Sequence, residues 1–243
     1  MPEFNPIYVY YNIADIPKVL EPLGRIKGVD KLILNYFPFP YPHRIAHDFL
    51  IAHPQYTHYI GAAQDLIVEP WNFEMLKRDI LKYDFPVYSG VCNVDHGKYK
   101  DKLAITSNLP SLNYYKRVYH WISKNRYPNM ILQVPFTGGA LYCVRRDINE
   151  KCHINKVRNW QTRDERPIWE RRGGYANDLA FAHNLDEAKI PINVNTTNVM
   201  DHLRYEYESK VGKRNPLVKF IPKDSNEKLC PSMDIEKATQ IIG

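Results

Sequence analysis

The feature that most limits how this chain folds is an alternation in its first hundred residues. Short runs rich in β-branched and aromatic residues are spaced by segments with helical periodicity. IYVYY (7–11), KLILNYF (31–37), THYIGAA (57–63) and PVYSGVCNV (86–94) read as strands. Between them, 15–26, 42–53 and 71–83 read as helices, the second opened by Pro42 and the third preceded by Glu69 and Pro70. Strands separated by helices of about a dozen residues make βαβ units, and so a mostly parallel sheet flanked by helices. Ligands of such sheets bind beyond the carboxyl ends of the strands. The third strand runs out at Asp65, a lone carboxylate between two apolar segments, which places a charged group at that edge.

Beyond residue 100 the pattern changes. LAITS (103–107) reads as a strand, 113–124 as a helix, and ILQVPFTGGALYCVRRD (131–147) as further strands crossing at a glycine pair. Residues 149–174 are polar and without period, which predicts a long surface loop. An amphipathic helix is predicted over 175–190 and a short strand over 191–196. From 203 onward the chain is rich in Lys, Pro and Asp and reads as an extension with a small helix at 233–241. The expected organisation is one α/β domain over 1–205, with 206–243 packed on it as a C-terminal extension. At 243 residues, such a chain buries roughly three quarters of its unfolded surface and needs no disulfide.

Composition removes several classes. The four cysteines, Cys92, Cys143, Cys152 and Cys230, form no CxxC pair and no zinc-ribbon spacing, which fits a reduced, cytoplasmic setting. The N-terminus carries acids and prolines where a signal peptide has a basic start and an apolar centre, and no apolar run approaches the roughly 18 residues of a membrane span. The expectation is a soluble protein with at most peripheral contact at the cytoplasmic face of a membrane. Net charge is +6, and 33 basic residues stand beside 27 acids and 18 tyrosines. That balance fits either a mildly basic surface or attraction for an anionic ligand. His43 and His47 sit four apart, but Arg44 occupies the place of the general base in HExxH. Neither GxxxxGK(S/T) nor GxGxxG occurs.

Three separated pieces are expected on one rim: the Asp65 turn, the Gly138–Gly139 segment leading into Arg145 and Arg146, and the stretch from Asp178 to His202. The order of YN after the first strand, the acid after the third, TGGALYCVRRD, GGYANDLAF and NVMDH resembles that of GT-A-type glycosyltransferases over residues 7 to 205. The resemblance implies a single Rossmann-like GT-A domain. It also implies transfer of a sugar from a nucleotide-diphosphate-sugar to a hydroxyl of a glycan, protein or lipid-linked acceptor.

By that resemblance Asp65 matches the last acid of a DxD-like cluster, which binds a divalent cation held by the donor diphosphate. Ala63 and Gln64 stand where the family usually has acids, so binding of Mn²⁺ or Mg²⁺ is expected to be weak, donor-dependent or absent. His202 matches a later histidine that reaches the same cation. Asp178 matches the acid that deprotonates the acceptor in inverting members. An acid in a first helical turn also complements the helix N-terminus, and the two roles are compatible. Tyr11, Asn12, Asn35 and Gln64 join Asp65 on the donor side; Tyr11 either stacks on a base or belongs to the core. Gly138, Gly139 and Trp160 match the sugar and acceptor pocket, although a strand bulge explains a glycine pair equally well. Two other readings are an inactive GT-A-like nucleotide-binding module and a basic nucleic-acid-binding protein, the latter without a basic stripe to support it.

Overall fold

The computed structural model describes residues 3–12, 17–35, 41–62, 65–94, 99, 101–112, 116–138, 140–152, 176–203 and 217–225. The first half follows the alternation: β1 (Pro6–Asn12), α1 (Pro17–Arg25), β2 (Asp30–Asn35), α2 (Tyr41–Ala52), β3 (His58–Ala62), α3 (Pro70–Tyr83) and β5 (Val87–Cys92), with a two-residue strand β4 (Leu66–Ile67) before α3. The strands are largely apolar because helices cover both faces of the sheet. Ile7, Val9, Leu32 and Leu34 pack with residues of α2 and a later helix, α5 (Ala176–Glu187). Tyr8, Tyr10, Ile33 and Ile60 pack against Val19, Leu20 and Leu23 of α1 and Phe73, Leu76 and Ile80 of α3. Helix α3 starts where its sequence says it should. Pro70 takes the first position, and the extended Glu69 donates its backbone N–H to Asn72 Oδ1 at 2.9 Å.

The large sheet is mixed rather than mostly parallel. Its order is β12-β2-β1-β3-β10-β5-β11-β4, with β8 also paired to β11; here β8 is Ile131–Val134, β10 Tyr142–Arg145, β11 Ile192–His202 and β12 Leu217–Ile221. Three of its pairings are parallel, β1 with β2, β1 with β3, and β5 with β11. The others are antiparallel, including β10, which is inserted between β3 and β5. A second, three-stranded antiparallel sheet joins β6 (Lys102–Thr106), β7 (Trp121–Ser123) and β9 (Phe136–Thr137).

Four sequence expectations change. Within 113–124 the structure has no α-helix among the described residues. Lys116, Val118 and His120 are exposed while Arg117, Tyr119 and Trp121 turn inward, a period of two that ends in β7. The Val, Tyr, Trp and Ile of this stretch are strand formers. Residues 149–152 are not loop but the end of helix α4 (Arg146–Cys152). The short strand at 191–196 continues to His202. The segment 217–221 of the C-terminal extension is an edge strand, antiparallel to β2. The expected helix at 233–241 lies outside the described residues, as does most of the 149–174 loop. No helix of the described residues is long and apolar enough to cross a membrane.

Candidate active site

One edge of the sheet collects the ends of its strands. β1 and β2 finish side by side at Asn12 and Asn35, β3 leads to Asp65, and β5 and β11 run parallel to Cys92 and Met200. β10 points the other way, so its first residue, Tyr142, stands at this same edge opposite Gly61 and Ser89. Its last residue pairs with His58 at the start of β3. Arg145 and Arg146 therefore lie at the far edge, away from the expected rim. Arg146 donates from Nη1 to the carbonyls of Leu50 and His53 at 2.7 and 3.1 Å and from Nη2 to that of Ile51 at 3.1 Å. It satisfies the exposed carbonyl end of α2.

Asp65 and His202 meet, although 137 residues separate them. β4 and the end of β11 form a short antiparallel ladder in which His202 faces Leu66, and the Leu203 N–H donates to Asp65 O at 2.7 Å. This places His202 Nε2 2.8 Å from Asp65 Oδ2. In a neutral imidazole that donates from Nε2 to the Asp65 carboxylate, Nδ1 carries the lone pair. Nδ1 is buried and has no hydrogen-bond partner in the structure. Asp65 is not the cap of α3, because Glu69 occupies that position. Among the described residues no three His, Cys, Asp or Glu side chains are grouped to hold a metal ion.

Asp178 lies in the first turn of α5, and its Oδ1 accepts the Leu179 N–H at 2.8 Å. Burial raises its carboxyl to about 6, against the downward pull of the Leu179 and Asp178 N–H groups and the Arg117 charge. Arg117 is held by the carbonyls of Ser111 and Leu112, both at 3.1 Å. Cys92 links the two acids electrostatically: burial first, then the charges of Asp65 and Asp178, push its thiol up to about 12.

A tyrosine cluster sits in the sheet at this edge. The Tyr142 hydroxyl is 2.9 Å from that of Tyr59 and is hydrogen-bonded to that of Tyr11. Burial raises the Tyr142 phenol, and the Asp178 charge adds to the rise. Gly61 makes room for this ring, since a Cβ there would lie 2.6 Å from Tyr142 Cζ and Oη. Tyr11, 3% exposed, thereby takes the core alternative rather than an open stacking position. Asn35 is also buried. Gly138 donates its N–H to Ala104 O at 2.7 Å, and a Cβ would meet Ala104 Cβ at 3.3 Å, so its smallness serves close packing on β6. Gln64, Gly139 and Trp160 lie outside the described residues.

Sequence reasoning missed Tyr59, Gly61, Cys92, Arg117 and Tyr142. Only Tyr142 carried a signal, lying three residues after the glycine pair. It also missed a buried polar network around Asn72, Asp79, Asn195 and Asn198, for which three asparagines within seven residues of β11 are the visible trace.

No family model matches the chain, and no curated protein matches it. Among solved structures it is similar to A197 from STIV, with a TM-score of 0.47 and 9% identity over 84% of this chain and 96% of that one. It is also similar to CMP:2-keto-3-deoxy-manno-octonic acid synthetase complexed with CTP, with a TM-score of 0.41 and 11% identity over 82% of this chain and 90% of that one. At TM-scores below 0.5 neither likeness speaks to chemistry, which rests on the residues.

Proposed function

We propose that the protein is a glycosyltransferase that moves a sugar from a nucleotide-diphosphate-sugar to an acceptor hydroxyl by a single, inverting displacement. The observation that carries this reading is a pair of acids in different environments. Asp178, half-buried, has its carboxyl raised to about 6, and Asp65 is bonded to His202. A base with its proton affinity near the working pH is suited to accept a hydroxyl proton. Asp178 takes that proton as the acceptor oxygen bonds to the anomeric carbon, and the bond from that carbon to the diphosphate breaks with its electron pair leaving on the diphosphate.

In this geometry His202 would be the direct ligand of a divalent cation, Mn²⁺ or Mg²⁺, with Asp65 on the other ring nitrogen rather than sharing the ion as the resemblance implies; the chemistry of such a cation is to neutralise a diphosphate leaving group. The bare, buried Nδ1 of His202 fits a ligand atom, with Asp65 orienting the ring through Nε2 as carboxylates do for metal-bound histidines. By the family resemblance, Asn12, Asn35 and Gln64 would serve the nucleoside, and Gly138, Gly139 and Trp160 the sugar and acceptor. A second reading, a nucleotide-binding module without turnover, is favoured by the absence of a third acidic or histidine ligand among the described residues.

Calorimetric titration with a panel of nucleotides and nucleotide-sugars, with and without Mn²⁺, tests the site. Saturable binding of one nucleotide diphosphate, strengthened by Mn²⁺ and weakened by Asp65→Asn, supports it. No nucleotide binding at any metal concentration contradicts both readings. Binding of polynucleotide alone, with a steep salt dependence, would mark a nucleic-acid-binding protein instead.

A further inference from the structure

We propose that Asn72 and Asn198 are positioning residues that lock the Asp65–His202 pair through a three-residue surplus in β11. Between Val194, opposite Ser89, and Val199, opposite Val91, β11 advances five residues while β5 advances two. Without the surplus Thr197 would face Cys92 in place of Met200, and His202 would overshoot Leu66 by about 10 Å. A shift of three residues would also exchange the two faces of the strand. The surplus therefore decides whether the imidazole reaches Asp65.

Asn72, in the first turn of α3, ties together the two segments that carry the pair. Its Oδ1 accepts the N–H of Glu69, the N-cap of α3 just after β4, at 2.9 Å. Its Nδ2 donates to Asn198 Oδ1 at 2.8 Å and to Val199 O at 3.2 Å, in the surplus that precedes His202. Asn198 donates back to Asn72 O at 3.1 Å and to the Tyr88 hydroxyl at 3.2 Å. Tyr88 and Asn195 both donate to Asp79 Oδ2, at 3.0 and 2.6 Å, and Arg78 holds Asp79 Oδ1 at 2.9 Å. On the other side, Thr196 exchanges backbone and side-chain bonds with Met130. Gly90 leaves the space, since a Cβ there would lie 2.7 Å from Asn198 O and 2.8 Å from Met200 Cε.

Asn198 is fully buried, in a sheet where valine or isoleucine would fill the space without polar atoms to satisfy. A buried polar network is tolerated when every member is paired, and it then imposes one geometry. Here the geometry imposed is the approach of His202 to Asp65. The functional meaning of that approach rests on the reading proposed above, but the approach itself is observable without turnover.

The test is long-range ¹H–¹⁵N spectroscopy of the His202 imidazole in the wild type, Asn72→Ala, Asn198→Ala and Asn72→Asp, with Ile80→Val as a control that loosens α3 without touching the network. Asn72→Asp keeps the acceptor for Glu69 and loses the donor to Asn198 and Val199, and it serves if the alanine variants do not fold. The network variants are expected to lose the wild-type His202 pattern set by the Nε2 bond to Asp65, and to bind nucleotide with Mn²⁺ about 10- to 100-fold more weakly, the usual cost of removing support behind a ligand. Ile80→Val keeps both. An unchanged His202 pattern in folded network variants, or an equal change in Ile80→Val, overturns the proposal. A changed pattern with unchanged nucleotide affinity would leave the positioning intact and remove the functional reading.

Discussion

Replacing the proposed base should make the protein more stable, and only above a definable pH. The Asp178 carboxyl is raised from an ordinary 3.8 to about 6, burial being the main cause. Between those two values the folded state binds more proton at this group than the unfolded state does, so stability falls as pH rises through the window. Below 3.8 the carboxyl is neutral in both states and costs nothing; above 6 the full cost is present. A displacement of this size corresponds to about 3 kcal/mol. Asp178→Asn removes the charge while its amide oxygen still accepts the Leu179 N–H, now made at 2.8 Å, so little capping is lost. Urea unfolding at pH 4, 6 and 8 should show no gain at pH 4 and a gain of up to about 3 kcal/mol at pH 8. For a chain of this length that is a rise in Tm of several degrees. A gain that is the same at pH 4 and pH 8, or none at pH 8, would refute the burial of an ionised Asp178.

Other expectations follow from single contacts. Gly61→Ala should cost about 1–3 kcal/mol as its Cβ meets the Tyr142 ring, and a double-mutant cycle with Tyr142→Leu should recover part of the loss; strict additivity would contradict the contact. His58, 2% exposed, is held neutral down to about 4 by burial and by the Arg145 charge. Its contribution is present above about 6.5 and lost as pH falls towards 4, so His58→Phe should flatten that part of the acid unfolding curve. Arg146→Ala should cost about 2 kcal/mol through the lost carbonyl bonds of α2. It should leave nucleotide affinity unchanged, because this residue lies at the opposite edge from Asp65.

The βαβ half was readable because its strands are buried on both faces and its helices carry start signals. Ile7 to Tyr11 and Leu32 to Leu34 appear as unbroken apolar runs, and Glu69-Pro70 marks α3. Strand direction has no such mark. The residues of β10 are as apolar as those of β3, and nothing in them says that Tyr142 rather than Arg145 stands at the edge with Asp65. The stretch from 116 to 123 misled because its aromatic residues fit a helical face nearly as well as a strand, and the small sheet decided between them. Asp65 and His202 were expected on one rim from the strand-end rule and the family resemblance, and they are hydrogen-bonded. What could not be read is the mechanism of their meeting, since the surplus in β11 depends on Asn72 and Asp79, more than a hundred residues away.

The central claim is that Asp178 accepts a proton while the Asp65–His202 side carries the diphosphate. It is tested most directly by release of nucleotide diphosphate from the bound nucleotide-sugar in the presence of acceptor and Mn²⁺, compared between wild type and Asp178→Asn at equal donor saturation. The account predicts unchanged donor affinity and a rate lower by about 10² to 10⁴ in the variant. Equal rates in the two proteins would contradict it.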